Sequence, residues 1–496
     1  MYILHIFSGA SKAFISKLYV NLLTESIKEY FPLEKITYIC YYIIVLLKKG
    51  FDVQMRITFA KLMTFISVLT LLLAFHSLSA DAIDPKYETV KVGLSYSSTA
   101  KSQVTLSSAS GFYGGYMNGS AFVNLYPLGA TTLTITPAGT GAVSINGTVS
   151  NTVGGNFAVS PVNGVVSIDG KNYRGGVEFI PDSNGRLTVI NFVNINDYIA
   201  AVVGKEMSPT WNIEALKAQA VCARSYAVTT WNRHSSLGFN LCATQDCQTY
   251  LGMSGETEST IRAANETKDQ LLMYNGSVVQ ALYSSSNGGS IGYAKYVWGN
   301  DVPYLQAGPD PYEANTGNPR ASWSVDLTKA DIRKKLANAS VNIGEITDFK
   351  VTGADEYGRT YEVTIYGTNG THVLKNDKTR SFFGLYSQRY SITPKGSSSQ
   401  PPVVKVMGSD SSADLTWFIA MGSKVSLGVG SDYYSISSSG KQLHTGSVAN
   451  ANSWVINGSG WGHGLGLSQY GAKGMADQGF TYDQILTFYY KGAYLQ

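Results

Sequence analysis

The amino-acid sequence predicts an α+β fold, with a β-rich N-terminal part, central helices beside a carboxylate-bearing turn, and a β-rich C-terminal part that closes with helices. Three observations predict it. Residues 85–194 run as short apolar alternations broken by Gly, Ser and Asn, the mark of strands joined by tight turns. Ile213, Leu216, Ala220, Ala223, Ala227 and Trp231 instead recur at three- and four-residue steps, which is one apolar stripe of a helix. Beyond residue 402 strand-length pieces return, and residues 458–492 add a glycine-rich run and two helical patterns. With 44% hydrophobic and 15% charged residues, the 496-residue chain can fill the cores of two or three domains.

The leader comes first. From Met55, Arg56 and Lys61 precede an apolar run over residues 62–75, and Ala80-Asp81-Ala82 fits a signal-peptidase site. That run is short for a membrane span, which takes about 20 residues. A cleaved export signal over 55–82 is therefore expected, with an uncleaved anchor as the alternative. Such a signal is read from the N-terminus, so residues 1–54 read as a spurious extension and Met55 as the start. Residues 1–82 hold eight Lys or Arg against five Asp or Glu, so the net charge of +4 shrinks to 30 basic against 29 acidic groups in the remainder. Without a basic groove or interleaved Arg and aromatic residues, nucleic acid is not an expected partner.

Residues 83–186 form the β-rich region. YETVKVGLSYSS, SQVTLSS, GGYMNGSAFVNLYPL and TTLTITPAG are strand candidates, and Asn163-Gly164, Asp169-Gly170 and Asn184-Gly185 mark hairpins further on.

Residues 187–395 form the central region. The stretch 187–203 predicts a strand followed by a short turn carrying Asn196 and Asp197. Glu206 then stands where a buried segment ends, after Gly204, which admits backbone angles closed to other residues, and before Pro209. Ser208, Thr210 and Asn212 are candidate caps, and a helix starts by about Asn212. Lys217 and Arg224 project from one side of it, as do Gln219 and Tyr226, because seven residues make nearly two turns. Lys217 and Arg224 are either a solvated basic edge or part of a polar face reaching back toward Glu206.

A second helix is expected over 256–272 and a strand over 278–283. Ser284, Ser285, Ser286, Asn287, Gly288 and Gly289 then make a polar, flexible loop, with Trp298 and Tyr304 nearby in sequence. This is either a surface connection or a sugar-binding rim, since hydroxyls and amides bond sugar hydroxyls while aromatic faces cover sugar C–H surfaces. Residues 329–337 read as a helix, 346–367 as a hairpin around Tyr357-Gly358, and Thr379 as the start of another helix.

Residues 396–402 are the clearest linker-like stretch, and 396–496 read as a β-rich segment with a closing motif. There Gly460, Gly462, Gly464 and Gly466 flank Trp461 and His463, so backbone can approach a partner closely. The alternative is a packing turn in which His463 bonds an internal carbonyl. A helix over 467–477 follows, and Thr481 with Gln484 makes a capping-box pattern for the last one.

Of four cysteines, Cys40 lies in the leader and Cys222 mid-helix, as a buried thiol. Cys242 and Cys247 read first as a small-loop disulfide in an exported protein, and second as a metal site with His234 as third ligand.

The motifs NDYIAAVVGKEMSPTW, EALKAQAVCARSYA, CATQDCQTYLG, YSSSNGG, VWG, PYL, TRSFFGL and GSGWGHGLGLSQYGAKGMA follow one another from about Tyr87 onward. In these the chain resembles the SpoIID/LytB family of sporulation and cell-wall proteins. It departs from the family's usual pattern at Lys205, at Asn287 in place of a Thr, and at Tyr296 in place of an acidic residue. The resemblance implies an exported protein acting on peptidoglycan glycan strands, alone or with other sporulation or cell-wall hydrolase proteins. One branch works as lytic transglycosylases on strands stripped of peptide; the other is known as an enhancer of N-acetylmuramoyl-L-alanine amidase. Glu206 takes the place of the catalytic Glu. Lys217, Arg224, Tyr226, Ser284, Ser285, Ser286, Asn287, Trp298, Trp461, His463, Gln469 and Tyr470 are expected to bind substrate. No cofactor is required, and a structural zinc at Cys242, Cys247 and His234 is the one the family suggests.

A lone carboxylate suits that chemistry. Ordinary glycosidases need two carboxyl groups, but when the muramic acid's own 6-hydroxyl attacks the anomeric carbon, one Glu can protonate the leaving oxygen and then accept the attacking proton. It must start protonated, which calls for a pKa raised by burial against groups such as Met207 and Trp211.

Overall fold

The computed structural model describes residues 83–139, 141–151, 154–395 and 451–496, with the backbone of six strands between 403 and 444. The export signal and the start at Met55 lie outside the described residues.

Among the described residues twelve strands precede the first α-helix: β1 (Thr89–Ser95), β2 (Val104–Ser107), β3 (Phe112–Asn118), β4 (Ala121–Pro127), β5 (Thr132–Pro137), β6 (Ala142–Ile145), β7 (Thr148–Asn151), β8 (Phe157–Pro161), β9 (Val165–Ile168), β10 (Lys171–Arg174), β11 (Gly176–Pro181) and β12 (Leu187–Asn194). They form where alternate residues are apolar: Val90 and Val92 of β1, Val104 and Leu106 of β2, and Leu133 and Ile135 of β5 all face one hydrophobic cluster. The turn Asp169-Gly170 joins β9 and β10 with both residues at positive φ, 48° and 82°, the two-residue hairpin turn that matches strand twist. One sheet runs β13-β1-β12-β11-β8-β3-β4, where β13 is Leu241–Cys242, and a second runs β10-β9-β2-β5-β6-β7.

From β12 the chain enters α1 (Ile195–Glu206) without the expected turn. Asn194 caps this helix by accepting the Asn196 N–H at 2.9 Å, and Tyr198, Ile199, Ala200, Ala201, Val202 and Val203 are all buried. A helix buried on every side carries no polar stripe, so its apolar run reads like a strand. Gly204 has a different reason from the one expected: a Cβ there would stand 1.8 Å from the Gly255 carbonyl oxygen. It lets the Gly252–Gly255 turn press on α1.

Helix α2 (Ile213–Thr229) starts where predicted, with Asn212 accepting the Glu214 N–H at 3.0 Å. Its buried alanines let α1 and α3 (Glu258–Glu266) pack closely on it. The expected second helix stops at Glu266, since Leu272–Tyr274 is a strand pairing with Tyr494–Leu495, and residues 278–283 form no single strand. Helix α4 (Ala294–Trp298) follows the serine-rich loop.

A second core lies around Phe349, Val363, Ile365, Trp454 and Ile456. Strand Ser453–Gly458 runs between Trp323–Thr328 and Tyr390–Lys395, and the hairpin Ile346–Ala354 with Thr360–Gly367 forms as predicted, extended by Gly370–Lys375. Helices α5 (Lys329–Asn338) and α6 (Lys378–Ser381) belong to this part. The chain leaves its sheet at Lys395 and rejoins it at Ser453, directly opposite. Helices α7 (Gln469–Asp477) and α8 (Tyr482–Tyr489) then return to the first core and pack on α2. The fold is α+β, as the sequence predicts. Among the described residues no helix is long and apolar enough to cross a membrane.

Candidate active site

Glu206 is the last residue of α1, and its C-cap neighbour Met207 is buried. Gln469, the first residue of α7, brings its Nε2 to 3.5 Å from Glu206 Oε2 and 3.4 Å from Gln219 Oε1. The Thr249 backbone N–H also bonds the carboxyl. Burial raises the Glu206 pKa above the ordinary carboxyl value in spite of these two donors, and no carboxylate is among the groups acting on it. A carboxyl that burial makes less acidic, with one amide beside it, is suited to give a proton and take one back.

The wall beside it is aromatic and amide. Gln248 donates from Nε2 to Tyr283 Oη at 2.9 Å and accepts from Tyr198 Oη at 3.1 Å. Burial pushes both phenols well above their usual range, with the Glu206 charge adding to it, so they stay neutral hydrogen-bonding groups. Tyr226 meets Tyr283 edge to face at 6.5 Å. Tyr470 packs against Trp211 with ring centres 5.0 Å apart and planes tilted by 59°. Gln219, Gln248, Thr249 and Tyr283 are not among the site residues the sequence suggests; only Gln219 carries a signal, its seven-residue spacing from Tyr226.

The serine-rich loop is a frame rather than a flexible rim. Glu313 accepts from Ser286 Oγ at 2.8 Å, the Asn287 N–H at 2.6 Å, the Gly288 N–H at 3.0 Å and Ser468 Oγ. Asp310 Oδ2 accepts from Asn287 Nδ2 and Tyr489 Oη, each at 2.7 Å. Ser284 pairs with Ser468 in a parallel bridge, Ser286 with Trp461 in an antiparallel one, and the Ser285 carbonyl accepts the Tyr470 N–H at 3.1 Å. Ser284, Ser286 and Asn287 are buried: Ser284 Oγ accepts the Gly464 N–H at 3.3 Å, and Ser286 and Asn287 donate to the two acids that also take Ser468 and Tyr489. Gly462 sits at φ 114°, where a Cβ would meet Ser284 Cβ at 2.5 Å, so only glycine lets the closing motif lie this near the loop.

Trp298 and Trp461 are 46% and 48% exposed. His463, 5.7 Å from the Trp298 ring, accepts the Leu465 N–H on Nδ1 at 3.0 Å. Enclosure and the nearby Arg380 lower its pKa to about 4, which keeps the ring neutral.

Arg224 and Lys217, expected to bind substrate, both make contacts within the protein. Arg224 is 1% exposed and gives its guanidinium to the Gln270 and Ala264 carbonyls and Asn196 Oδ1, each at 3.2 Å. Burial lowers its pKa to about 10. It braces α2 against the α1 and α3 segments. Lys217 pairs with Glu214 at 2.9 Å and Glu266 at 2.6 Å, over the Tyr482 ring, so its charge is already spent inside the protein.

His234, Cys242, Asp246 and Cys247 bring one ligand atom each within 4.8 Å of one another. The two thiols are unbridged, counter to the disulfide preference, and Cys247 Sγ lies 3.3 Å from His234 Nε2. Asp246 adds a fourth donor 3.3 Å from the same nitrogen, held by Arg233 at 2.7 Å. Cys242 is lowered by the hydrogen bond from the Cys247 thiol, so one thiolate forms readily. One nitrogen, two sulfurs and one oxygen at such spacing fit a structural zinc ion by donor type. His234 is fixed by its stack on Phe239 at 5.1 Å, and Cys242 by pairing with Gly93 of β1.

Comparison with known proteins agrees with the sequence motifs. A family model described as SpoIID, stage II sporulation protein, matches residues 183–274, the stretch that holds α1, α2 and the Cys242 loop. The chain is 29% identical over 360 residues to the amidase enhancer of Bacillus subtilis, covering 69% of this chain and 47% of that protein. The chain thus spans about half the length of that relative. It is 30% identical over 327 residues to an uncharacterized protein of Brachyspira hyodysenteriae, covering 66% of this chain and 73% of the relative. With the stage II sporulation protein D of Bacillus subtilis the identity is 26% over 320 residues, covering 60% and 73%. On the family model, these relatives and the shared motifs, the chain belongs to the SpoIID/LytB family.

Proposed function

We propose that this protein is an exported lytic transglycosylase that cleaves peptide-free peptidoglycan strands, with Glu206 as the single acid and base. The observation that carries this reading is a carboxyl made less acidic by burial, with amide and backbone donors beside it and no second carboxylate acting on it. In the first step Glu206 gives its proton to the glycosidic oxygen as that bond to the anomeric carbon breaks. The muramic acid 6-hydroxyl oxygen then bonds to that carbon, and its proton returns to Glu206, so no water is consumed. Gln469 Nε2 supports the carboxylate in between. The zinc we propose at His234, Cys242, Asp246 and Cys247 is structural, pinning the segment that delivers Gln248 and Thr249. Export rests on the signal at residues 55–82.

The test is mass spectrometry of products from the protein and peptide-free glycan, with Glu206→Gln beside it. We expect 1,6-anhydro-muramic ends from the first and at least a hundredfold fewer from the second, the usual loss for a general acid. Equal yields would refute the assignment. The name of the Bacillus relative favours a second reading, a non-catalytic, wall-binding enhancer of an N-acetylmuramoyl-L-alanine amidase acting beside other wall hydrolases. No anhydro ends, with amidase stimulation surviving Glu206→Gln, would establish that reading instead.

A further inference from the structure

One cation near the closing motif is not used by the site described above. The Arg320 guanidinium carbon lies 4.0 Å from the centre of the Tyr386 ring and 5.5 Å from that of Trp461. The two rings meet edge to face at 6.0 Å. The Arg320 backbone is fixed at both ends: its N–H donates to Asn318 Oδ1 at 2.8 Å, and its carbonyl accepts the Gly460 N–H at 2.8 Å. Its guanidinium has no acceptor among the described residues. Every other described arginine donates to a carboxylate or to a carbonyl. A half-buried cation that two rings hold in place, with its donor edge unused, is poised for an acceptor from outside.

The chemistry of that acceptor follows from the neighbours. A guanidinium is a planar fork that matches a carboxylate with two parallel hydrogen bonds. Trp461, half exposed, offers a flat apolar face of the kind that covers the C–H surface of a sugar ring. Trp461 pairs with Ser286, and Ser284 pairs with Ser468, the residue before Gln469. Two residues of extended chain span about 7 Å, so the platform and the Gln469–Glu206 contact are joined through one short stretch of the serine-rich loop.

Resting on the glycan reading above, we propose that Arg320, held by Tyr386 and Trp461, is a specificity-determining subsite that binds a sugar-borne carboxylate. In a strand stripped of peptide the acid side arm of each muramic acid is free and meets Arg320. In a peptide-linked strand that carbonyl is an amide, and the fork loses its charged partner.

The test uses binding, in the Glu206→Gln background so that nothing turns over. Intrinsic tryptophan fluorescence or calorimetry would follow two probes: a peptide-free tetrasaccharide of alternating N-acetylglucosamine and N-acetylmuramic acid, and chitotetraose, which has no carboxylate. We expect the acidic tetrasaccharide to bind about tenfold tighter, the share of one charge-assisted pair, and Arg320→Gln to remove that advantage. Chitotetraose affinity, unchanged in Arg320→Gln, serves as the control for folding. Arg320→Lys, which keeps the charge and loses the fork, should fall between. Equal binding of the two probes, or a preference that survives Arg320→Gln, would overturn the proposal. If the carboxylate preference is present and depends on Arg320, yet wild type makes no anhydro ends, the transglycosylase reading fails and this one stands.

Discussion

Gln469 Nε2 and Glu206 Oε2 meet at 3.5 Å although 263 residues separate them along the chain. The amide stabilises the charged carboxylate and so lowers a pKa that burial raises. Replacing Gln469 by Leu removes the lowering contribution and leaves the raising one. The alkaline limb of the pH–rate profile, where the protonated acid is lost, should move to higher pH, with a change of less than about tenfold at the optimum. A limb that stays in place or moves down would show that the contact does not tune Glu206.

The same raised pKa has a consequence for stability. Between the unfolded and folded pKa values the native state binds more protons at Glu206 than the unfolded chain does, so this group's contribution to stability falls as pH rises through that window. Glu206→Gln removes the penalty. Thermal unfolding should show the variant above wild type at pH 7 and level with it at pH values below the unfolded pKa. A variant less stable than wild type at pH 7 would contradict the burial of this carboxyl.

Arg224→Met should act on folding before it acts on activity. The substitution leaves the Gln270 and Ala264 carbonyls and Asn196 Oδ1 without their donor. Each orphaned buried acceptor costs about 1–3 kcal/mol, so the loss should exceed that of a single broken hydrogen bond. Urea unfolding should report that loss, while the KM of the folded fraction stays near that of wild type. A raised KM with unchanged stability would return Arg224 to the substrate.

The four-donor cluster predicts one zinc ion per chain by elemental analysis of protein from Ile83 onward. A strong chelator should remove it and lower the melting temperature, and Asp246→Asn should weaken retention less than Cys242→Ser. A metal-free protein with the two thiols oxidised to each other would overturn the assignment.

What the sequence makes legible follows from range. The β alternation, the Asn212 cap, the Tyr357-Gly358 hairpin and the Thr481 capping box are local patterns, and each appears in the structure. Helix α1 is hidden because burial on all sides removes the polar face that betrays a helix. Lys217 and Arg224 do project from one face of α2, but which neighbours meet that face depends on α3, fixed by tertiary packing. The serine-rich loop reads as free because its acceptor, Glu313, comes more than twenty residues later with nothing in sequence to couple them. Asp246 lies in plain view inside CATQDC, between the two cysteines; its partner Arg233, thirteen residues back, is the cue that spacing alone does not supply.

Because α7 comes after the strand Ser453–Gly458 and the closing motif, the Gln469 contact to Glu206 cannot form until nearly the whole chain has been made. The amide that tempers this acid is thus a feature of the finished molecule, and a polypeptide cut before Gln469 would hold Glu206 without it.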